Sequence, residues 1–196
     1  GPRAGAGSSA RTPCAVAWAR ERGRGGAGSP LFLPATPPSF SPSKDVLNHL
    51  RSICADVRAV RGDFDDAAVK GGDVEVVSIG DFRVGLCHGH AVVPWGDASA
   101  LDLLQRRLGV DILVTGHSHA LSVTAAGGRL RIDPGSATGA WAPHAAAPSV
   151  PSFVLMDVTG SRAVVYMYRL PGGAGSDELK VEKLEFFKGG AGAPLA

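Results

Sequence analysis

Arg61-Gly62-Asp63-Phe64-Asp65 is the first of three short polar clusters from which the fold of this chain can be predicted. The second is His88-Gly89-His90 and the third is Gly116-His117-Ser118-His119, and each cluster directly follows an apolar run. Short apolar runs of this kind predict buried strands. Ligands of open α/β sheets bind at the carboxyl ends of the strands, which is where the three clusters would lie.

The residue types in these clusters are those of a metal site. Four of the six histidines lie in the second and third clusters, and Asp63 can supply an oxygen ligand. Imidazole and carboxylate suit zinc, manganese and iron. Two histidines at i and i+2 of an extended chain point to the same side, roughly 7 Å apart, so they can face neighbouring ions. An isolated histidine is more often a polar loop or core residue, and this is our interpretation of His49 and His144.

The composition excludes several classes of protein. A chain of 196 residues predicts one domain, and no apolar run approaches the roughly 20 residues that span a bilayer. Residues 1–43 carry five Arg and one Glu, so the rest of this +2 chain is mildly acidic and gives no electrostatic case for binding nucleic acid. The three cysteines, Cys14, Cys54 and Cys87, form no CxxC motif, which favours a reducing compartment over a disulfide framework.

Residues 1–42 are predicted to form a disordered or atypical leader. They are rich in Gly, Pro, Ala, Ser and Arg and show no helical or strand periodicity. Because the segment is basic and nearly free of acid, an organelle transit peptide is the alternative. Residues 43–188 are then the folded domain, and residues 189–196 a flexible tail.

The pattern of elements predicts an α/β (α+β) sandwich, with two packed β-sheets flanked by helices. Ser43 is a plausible cap for a helix with apolar residues at helical spacing from Val46 to Cys54, including Ile53, and Asp97 and Gly109 would bound a second helix. Gly80-Asp81 predicts a hairpin turn. The predicted strands are Asp56–Arg61, Val74–Ile79, Phe82–Cys87, Asp111–Thr115, Leu121–Thr124, Leu130–Ile132, Ser152–Val158, Ala163–Leu170 and Leu179–Phe187.

Residues 43–188 resemble the small-subunit family of retromer, whose members have the calcineurin-like metallophosphoesterase fold. Gly-His-Ser-His alone marks only the superfamily, whereas the runs Asp133–Ala140 and Pro151–Asp157 are much more specific. The segments that carry the resemblance are Val60–Asp65, His88–His90, Val93–Asp97, Leu103–Arg106, Gly116–His119, Asp133–Ala140 and Pro151–Asp157.

The resemblance implies a zinc or manganese site whose ligands are Asp63, His88, His117 and His119, with His90 nearby. It also implies that the chain is not an enzyme. Phosphoesterases of the superfamily have a histidine, which protonates the leaving group, where this chain has Phe64. A phenylalanine cannot donate that proton, and the retromer family shares the substitution.

A second departure concerns the start of the domain. The superfamily begins with a strand ending in Asp-x-His, followed by a Gly-Asp or Gly-Asn ligand, and neither occurs in residues 1–42. The resemblance therefore implies an incomplete two-metal site and a missing first strand, whose loss would expose backbone edges in the sheet. Leu31-Phe32-Leu33 is the candidate to fill the gap.

The function implied by the resemblance is that of a scaffold in an endosomal sorting coat, cytoplasmic and peripheral on the endosome membrane. The metal-site face would dock on the large α-solenoid subunit of retromer, with Val93 in the contact. A second apolar surface, containing Leu155, Tyr166 and Tyr168, would recruit regulators of small GTPases. Tyr166 and Tyr168 share one face of a strand, although this pattern fits a core position equally well.

Two alternatives remain open at this point. The set Asp63, His88, His117 and His119 is also what a divalent-metal-dependent phosphodiesterase or phosphatase would use, with weak residual activity. If the missing strand were not replaced, the chain would not be a stable protein and would melt without cooperativity.

Overall fold

The computed structural model describes residues 17–21, 30–33, 42–63, 71–140, 149–172, 178–190 and 193–194. Phe64 and Asp65 of the first polar cluster lie outside the described residues. Within those residues the helices are α1 (Pro42–Ile53) and α2 (Ala98–Leu108). The strands described are β1 (Ala17–Glu21), β2 (Leu31–Leu33), β3 (Val57–Ala59), β4 (Val74–Ile79), β5 (Phe82–Cys87), β6 (Ile112–Val114), β7 (Leu121–Ala126), β8 (Arg129–Pro134), β9 (Ser152–Thr159), β10 (Arg162–Arg169), β11 (Lys180–Phe187) and β12 (Ala193–Pro194).

The strands form two sheets that pack face to face. One sheet has the order β12-β11-β10-β9-β1-β2-β3, and the other β4-β5-β6-β8-β7. Phe82 from the second sheet meets Phe186 from the first in the core, with ring centroids 5.9 Å apart. Helix α2 covers the other face of the five-stranded sheet, where its leucines pack on Cys87, Val110 and Leu113. The predicted sandwich is confirmed.

Local sequence signals explain most element boundaries. The Gly80-Asp81 turn joins β4 and β5 in the predicted antiparallel register, and Gly80 adopts a φ of 57°. Helix α2 begins where the Asp97 carboxylate accepts the Ala100 N–H at 2.8 Å. It ends at Gly109, whose φ of 61° is a left-handed conformation that glycine adopts without steric cost.

Three parallel strands position the polar clusters at one edge of the five-stranded sheet. Leu86 of β5 aligns with Val114 of β6, which aligns with Ile132 of β8. The residues that follow β5 and β6, beginning with His88 and Thr115 respectively, therefore emerge side by side. Asp63 approaches from β3 of the other sheet. One residue of each cluster, namely Asp63, His88 and His117, meets the others at the strand ends as the sequence predicted.

The prediction of an unfolded leader lacking a first strand is wrong for two segments, one of which, Leu31-Phe32-Leu33, is the candidate named above to fill the gap. Strand β1 pairs in parallel with β9 and antiparallel with β2, and Leu31–Leu33 continues the sheet to β3. Without β1 and β2, the neighbouring edges of β9 and β3 would carry unpaired backbone N–H and C=O groups. The cost of leaving these groups unpaired favours strand formation by β1 and β2, even though their sequence pattern is weak. Leu31 and Phe32 are buried, so the folded unit begins upstream of residue 43.

Smaller corrections concern individual residues. Ile53 was expected on the buried face of α1 but is 68% exposed, and α1 begins at Pro42, one residue before the predicted cap. The buried strand predicted over Asp56–Arg61 is a three-residue, half-buried strand at the edge of its sheet. Ala193–Pro194 pairs with β11, so the flexible tail was wrong for these two residues. Neither helix among the described residues is long and apolar enough to cross a membrane.

Candidate functional site

Three of the four predicted ligands converge. The ligand atoms of Asp63, His88 and His117 all lie within 4.8 Å of one another. Asp63 Oδ1 is 3.7 Å from His88 Nε2 and 4.0 Å from His117 Nδ1. Within the described part of the chain, no other group of three or more histidine, cysteine and acidic side chains meets this condition. We call these three residues the metal triad.

The loops that present the triad are held together by their backbones. Gly116 donates its N–H to the carbonyl oxygen of His88 at 2.9 Å, which joins the loop after β6 to the loop after β5. Gly89 lies at this contact with a φ of 103°, and a Cβ there would come within 3.0 Å of the Gly116 carbonyl oxygen. A glycine is therefore needed between His88 and His90.

The third cluster is a turn, whereas the sequence predicted an extended chain. His117 and His119 have φ angles of 67° and 56°, in the left-handed region that histidine enters more readily than most residues. His117 joins the metal triad, whereas His119 lies outside it, with Nδ1 2.7 Å from the carbonyl oxygen of Ala140. The extended chain expected at this pair is therefore absent.

His90 and Trp95 border the triad. The His90 ring centroid is 5.2 Å from that of His88, and the His90 carbonyl oxygen accepts the Trp95 indole N–H at 2.9 Å. Trp95 also packs edge-on against His117 at a centroid distance of 4.6 Å. The sequence placed Trp95 within the family-specific segment Val93–Asp97 but gave it no role at the site. The available signal was a large aromatic residue five positions after a histidine of the cluster.

Burial sets the protonation state of His88. Its side chain is almost inaccessible, and this desolvation, with a contribution from His90, lowers the pKa of His88 to about 4, while the Asp63 carboxylate acts in the opposite direction. His88 is therefore neutral near pH 7, which is the form that binds metal. Two imidazoles and a carboxylate form a donor set that zinc and manganese accept, so the triad fits a divalent ion.

A buried carboxylate lies behind the histidine turn. Asp133, on β8, accepts the Ser118 hydroxyl at 2.7 Å and the Gly135 N–H at 3.0 Å. Desolvation raises the pKa of Asp133 to about 7, although both hydrogen bonds act to lower it. Asp133 appeared in the sequence only as the first residue of a family-specific run, because its partner Ser118 lies fifteen positions away.

The residues predicted to bind partners lie on the surface. Val93 is 73% exposed in the loop between His90 and Trp95. Leu155 and Tyr166 are register partners on β9 and β10, and both are half-buried and outside the core cluster. Beside them, Tyr168 stacks on Phe153 with centroids 4.6 Å apart and rings nearly parallel. Sequence reasoning missed Phe153, which is 41% exposed on the same face.

Comparisons with known proteins identify the family. The sequence model of the calcineurin-like phosphoesterase superfamily domain matches residues 40–161. Vacuolar protein sorting-associated protein 29 of Schizosaccharomyces pombe is 37% identical over 151 residues, which are 74% of this chain and 77% of that protein.

Solved structures agree with this result. Vps29 of Cryptosporidium parvum is 37% identical with a TM-score of 0.69, over 79% of this chain and 80% of that chain. Vps29 of Entamoeba histolytica, solved in complex with Zn²⁺, is 32% identical with a TM-score of 0.67, over 87% of this chain and 99% of that chain. The resemblance inferred from the sequence is confirmed. The chain belongs to the Vps29 family of the calcineurin-like phosphoesterase superfamily.

Proposed function

We propose that this chain is a non-enzymatic scaffold subunit of retromer in endosomal protein transport, peripheral on the endosome membrane through the complex. Family membership supports this role. The observation that carries it is the exposed apolar loop beside the metal triad, where Val93 is 73% and Trp95 51% exposed. An apolar surface at the strand ends suits a protein partner. We assign this surface to the large α-solenoid subunit of retromer.

A second apolar surface supports a second partner. Phe153, Leu155, Tyr166 and Tyr168 line the outer face of the seven-stranded sheet, and Val181 extends this face as the register partner of Tyr168. Val181 is 49% exposed. We assign the surface to regulators of small GTPases. Because it lies on a sheet face and Val93 lies at the strand ends, both partners can bind together.

The metal triad would hold a zinc or manganese ion in this scaffold. The donor set of Asp63, His88 and His117 supports this, as does the zinc complex of the E. histolytica relative. A bound ion would supply positive charge between loops that come from the two sheets. We retain His119 as a further ligand because its Nδ1 faces a carbonyl oxygen, which leaves the lone pair on Nε2.

Calorimetric titration into the C-terminal half of the solenoid subunit tests the first surface. We expect Val93→Asp to abolish binding, since it places a charge in an apolar contact, and to leave the circular-dichroism spectrum unchanged. Leu103→Asp is the matched control, because Leu103 is 70% exposed on α2 and lies outside the proposed surface. Unchanged affinity of Val93→Asp would remove this loop from the interface.

The alternative function is a divalent-metal-dependent phosphodiesterase or phosphatase, and the same triad favours it. The histidine that donates a proton in the superfamily is replaced by Phe64, so we expect no turnover above background with a generic phosphodiester and manganese. Manganese-stimulated hydrolysis that is lost in His117→Ala would support the enzyme instead.

A further inference from the structure

The run from Asp133 to Ala140, here called the supporting loop, is a closely packed, hydrogen-bonded segment next to the histidine turn. The Ser136 hydroxyl, fully buried, accepts the Ala140 N–H at 2.8 Å, and the Ser136 carbonyl oxygen accepts the Ser152 N–H at 2.8 Å. The Ser152 hydroxyl donates to the carbonyl oxygen of Pro134 at 2.8 Å. Gly135 permits this packing, because a Cβ there would lie 2.3 Å from Ser152 Oγ.

The first contact of the supporting loop is with the residue between the two histidines. Ser118 donates its hydroxyl to Asp133 at 2.7 Å, and the same hydroxyl accepts the Ala120 N–H at 3.1 Å. His117 and His119, on either side, are both in the unfavourable left-handed conformation. A charge-assisted hydrogen bond to the residue between them stabilises the turn in this conformation.

The second contact is with His119 itself. The carbonyl oxygen of Ala140 can only accept, so His119 Nδ1, 2.7 Å away, must carry the proton. The lone pair of the neutral ring is then on Nε2. Such a hydrogen bond to the second nitrogen commonly fixes the orientation of a metal-binding histidine. Ala140 is held in place in turn by the hydrogen bond that its N–H donates to the Ser136 hydroxyl.

We propose that the supporting loop positions the histidines of the metal centre: Asp133 positions His117 through Ser118, and Ser136 positions His119 through Ala140. The inference rests on the proposed metal centre and goes beyond its ligands. It assigns a role to the run Asp-Pro-Gly-Ser-Ala-Thr-Gly-Ala, which neither docking surface uses. A purely structural role for the same buried groups makes a different prediction, because zinc affinity would then not depend on them.

The contact between Asp133 and Ser118 is tested by competition for zinc between the full chain and a chromophoric chelator at mildly alkaline pH. We expect Asp133→Ala and Ser118→Ala each to weaken zinc binding by about 10- to 100-fold, as loss of such supporting partners typically does. The double variant should lose little more than either single variant, since both remove one contact. Asp133→Asn should keep most of the affinity, because its amide can still accept from Gly135 and pair with the Ser118 hydroxyl.

The contact of Ser136 with His119 through Ala140 is tested by nitrogen-15 NMR of the histidine rings in the metal-free chain. His119 should be protonated on Nδ1 in the wild type, and Ser136→Ala should shift the ring toward a mixture of tautomers and lower zinc affinity. Gln105→Ala is the control for loss of stability alone. Gln105 is fully buried, and its side-chain amide donates to the carbonyl oxygens of Asp111 and Leu130. These two residues lie at the amino ends of β6 and β8, away from the metal triad.

The outcomes separate this inference from the metal centre. If Asp133→Ala and Ser136→Ala lower the melting temperature as Gln105→Ala does but keep wild-type zinc affinity, the positioning role of the supporting loop is overturned and the metal centre stands. If the wild-type chain binds no zinc, the metal centre is overturned and the positioning role with it.

Discussion

The Trp95 indole and the His117 imidazole pack edge to face, with ring centroids 4.6 Å apart and an interplanar angle of 73°. Trp95 also donates its N–H to the carbonyl oxygen of His90, so one side chain connects the metal triad to the loop that contains Val93. The proposed docking surface and the proposed metal centre are therefore adjacent parts of one structure.

This contact predicts a spectroscopic signal. Zinc binding at His117 should change the emission of Trp95, because a charge then lies beside the partner ring. Since the chain has three tryptophans, the signal is the part of the zinc-dependent change that disappears in Trp95→Phe. His117→Ala should abolish the same part. A zinc response that survives both substitutions would place the ion elsewhere.

His88 should remain neutral to unusually low pH. Burial lowers the pKa of His88 from 6.5 to about 4 in the folded chain. The unfolded chain binds the extra proton between these two values, so stability should fall as pH falls from about 6.5 to about 4. Histidine NMR of the metal-free chain should show the His88 resonance titrating near the lower value. A midpoint near 6.5 would mean that His88 is not desolvated.

Asp133 should have the opposite effect on stability. Its pKa is raised from 3.8 to about 7, so the folded chain binds the extra proton and stability should fall as pH rises through this range. Asp133→Asn should therefore stabilise the chain above pH 7 by on the order of a few kcal/mol, at about 1.4 kcal/mol per pKa unit, with little gain near pH 4. Denaturant unfolding at both pH values measures this. An equal effect at both would show that the carboxylate does not titrate as proposed.

Phe32 tests whether β2 belongs to the folded domain. It is 1% exposed in the core between the sheets, so Phe32→Ala should lower the free energy of unfolding by about 3–5 kcal/mol. Phe187→Ala is the matched control, because Phe187 is 46% exposed and should cost much less. If both substitutions lowered the free energy of unfolding by the same small amount, Leu31–Leu33 would not be part of the folded domain. A broad, uncooperative melt of the wild type would indicate that the sheet is incomplete.

Local signals predicted most of the fold. The β4–β5 hairpin depends on the Gly80-Asp81 turn, and α2 on the cap at Asp97 and the glycine at position 109, so each is determined by neighbouring residues. Strand β1 was missed because its partner β9 lies more than a hundred residues away and provides the pairing that the sequence of β1 does not specify. Strand β2, which pairs with β1 and β3, was named only as a candidate to fill the gap.

The candidate site was predicted in part for a similar reason. His88 and His117 came together as expected, because the parallel strands β5 and β6 align their carboxyl ends, and Asp63 reaches them from beyond β3 of the other sheet. The position of His119 depends on the left-handed turn and on the carbonyl oxygen of Ala140, twenty-one residues away. No periodicity in the sequence encodes such a contact.

Calorimetric titration of the purified chain into the C-terminal half of the retromer solenoid subunit, with and without a chelator, tests the central claim most directly. We predict saturable binding in both conditions, because the exposed loop at Val93 provides the contact and no chemical step is involved. Absence of binding by a chain that unfolds cooperatively would contradict the scaffold assignment.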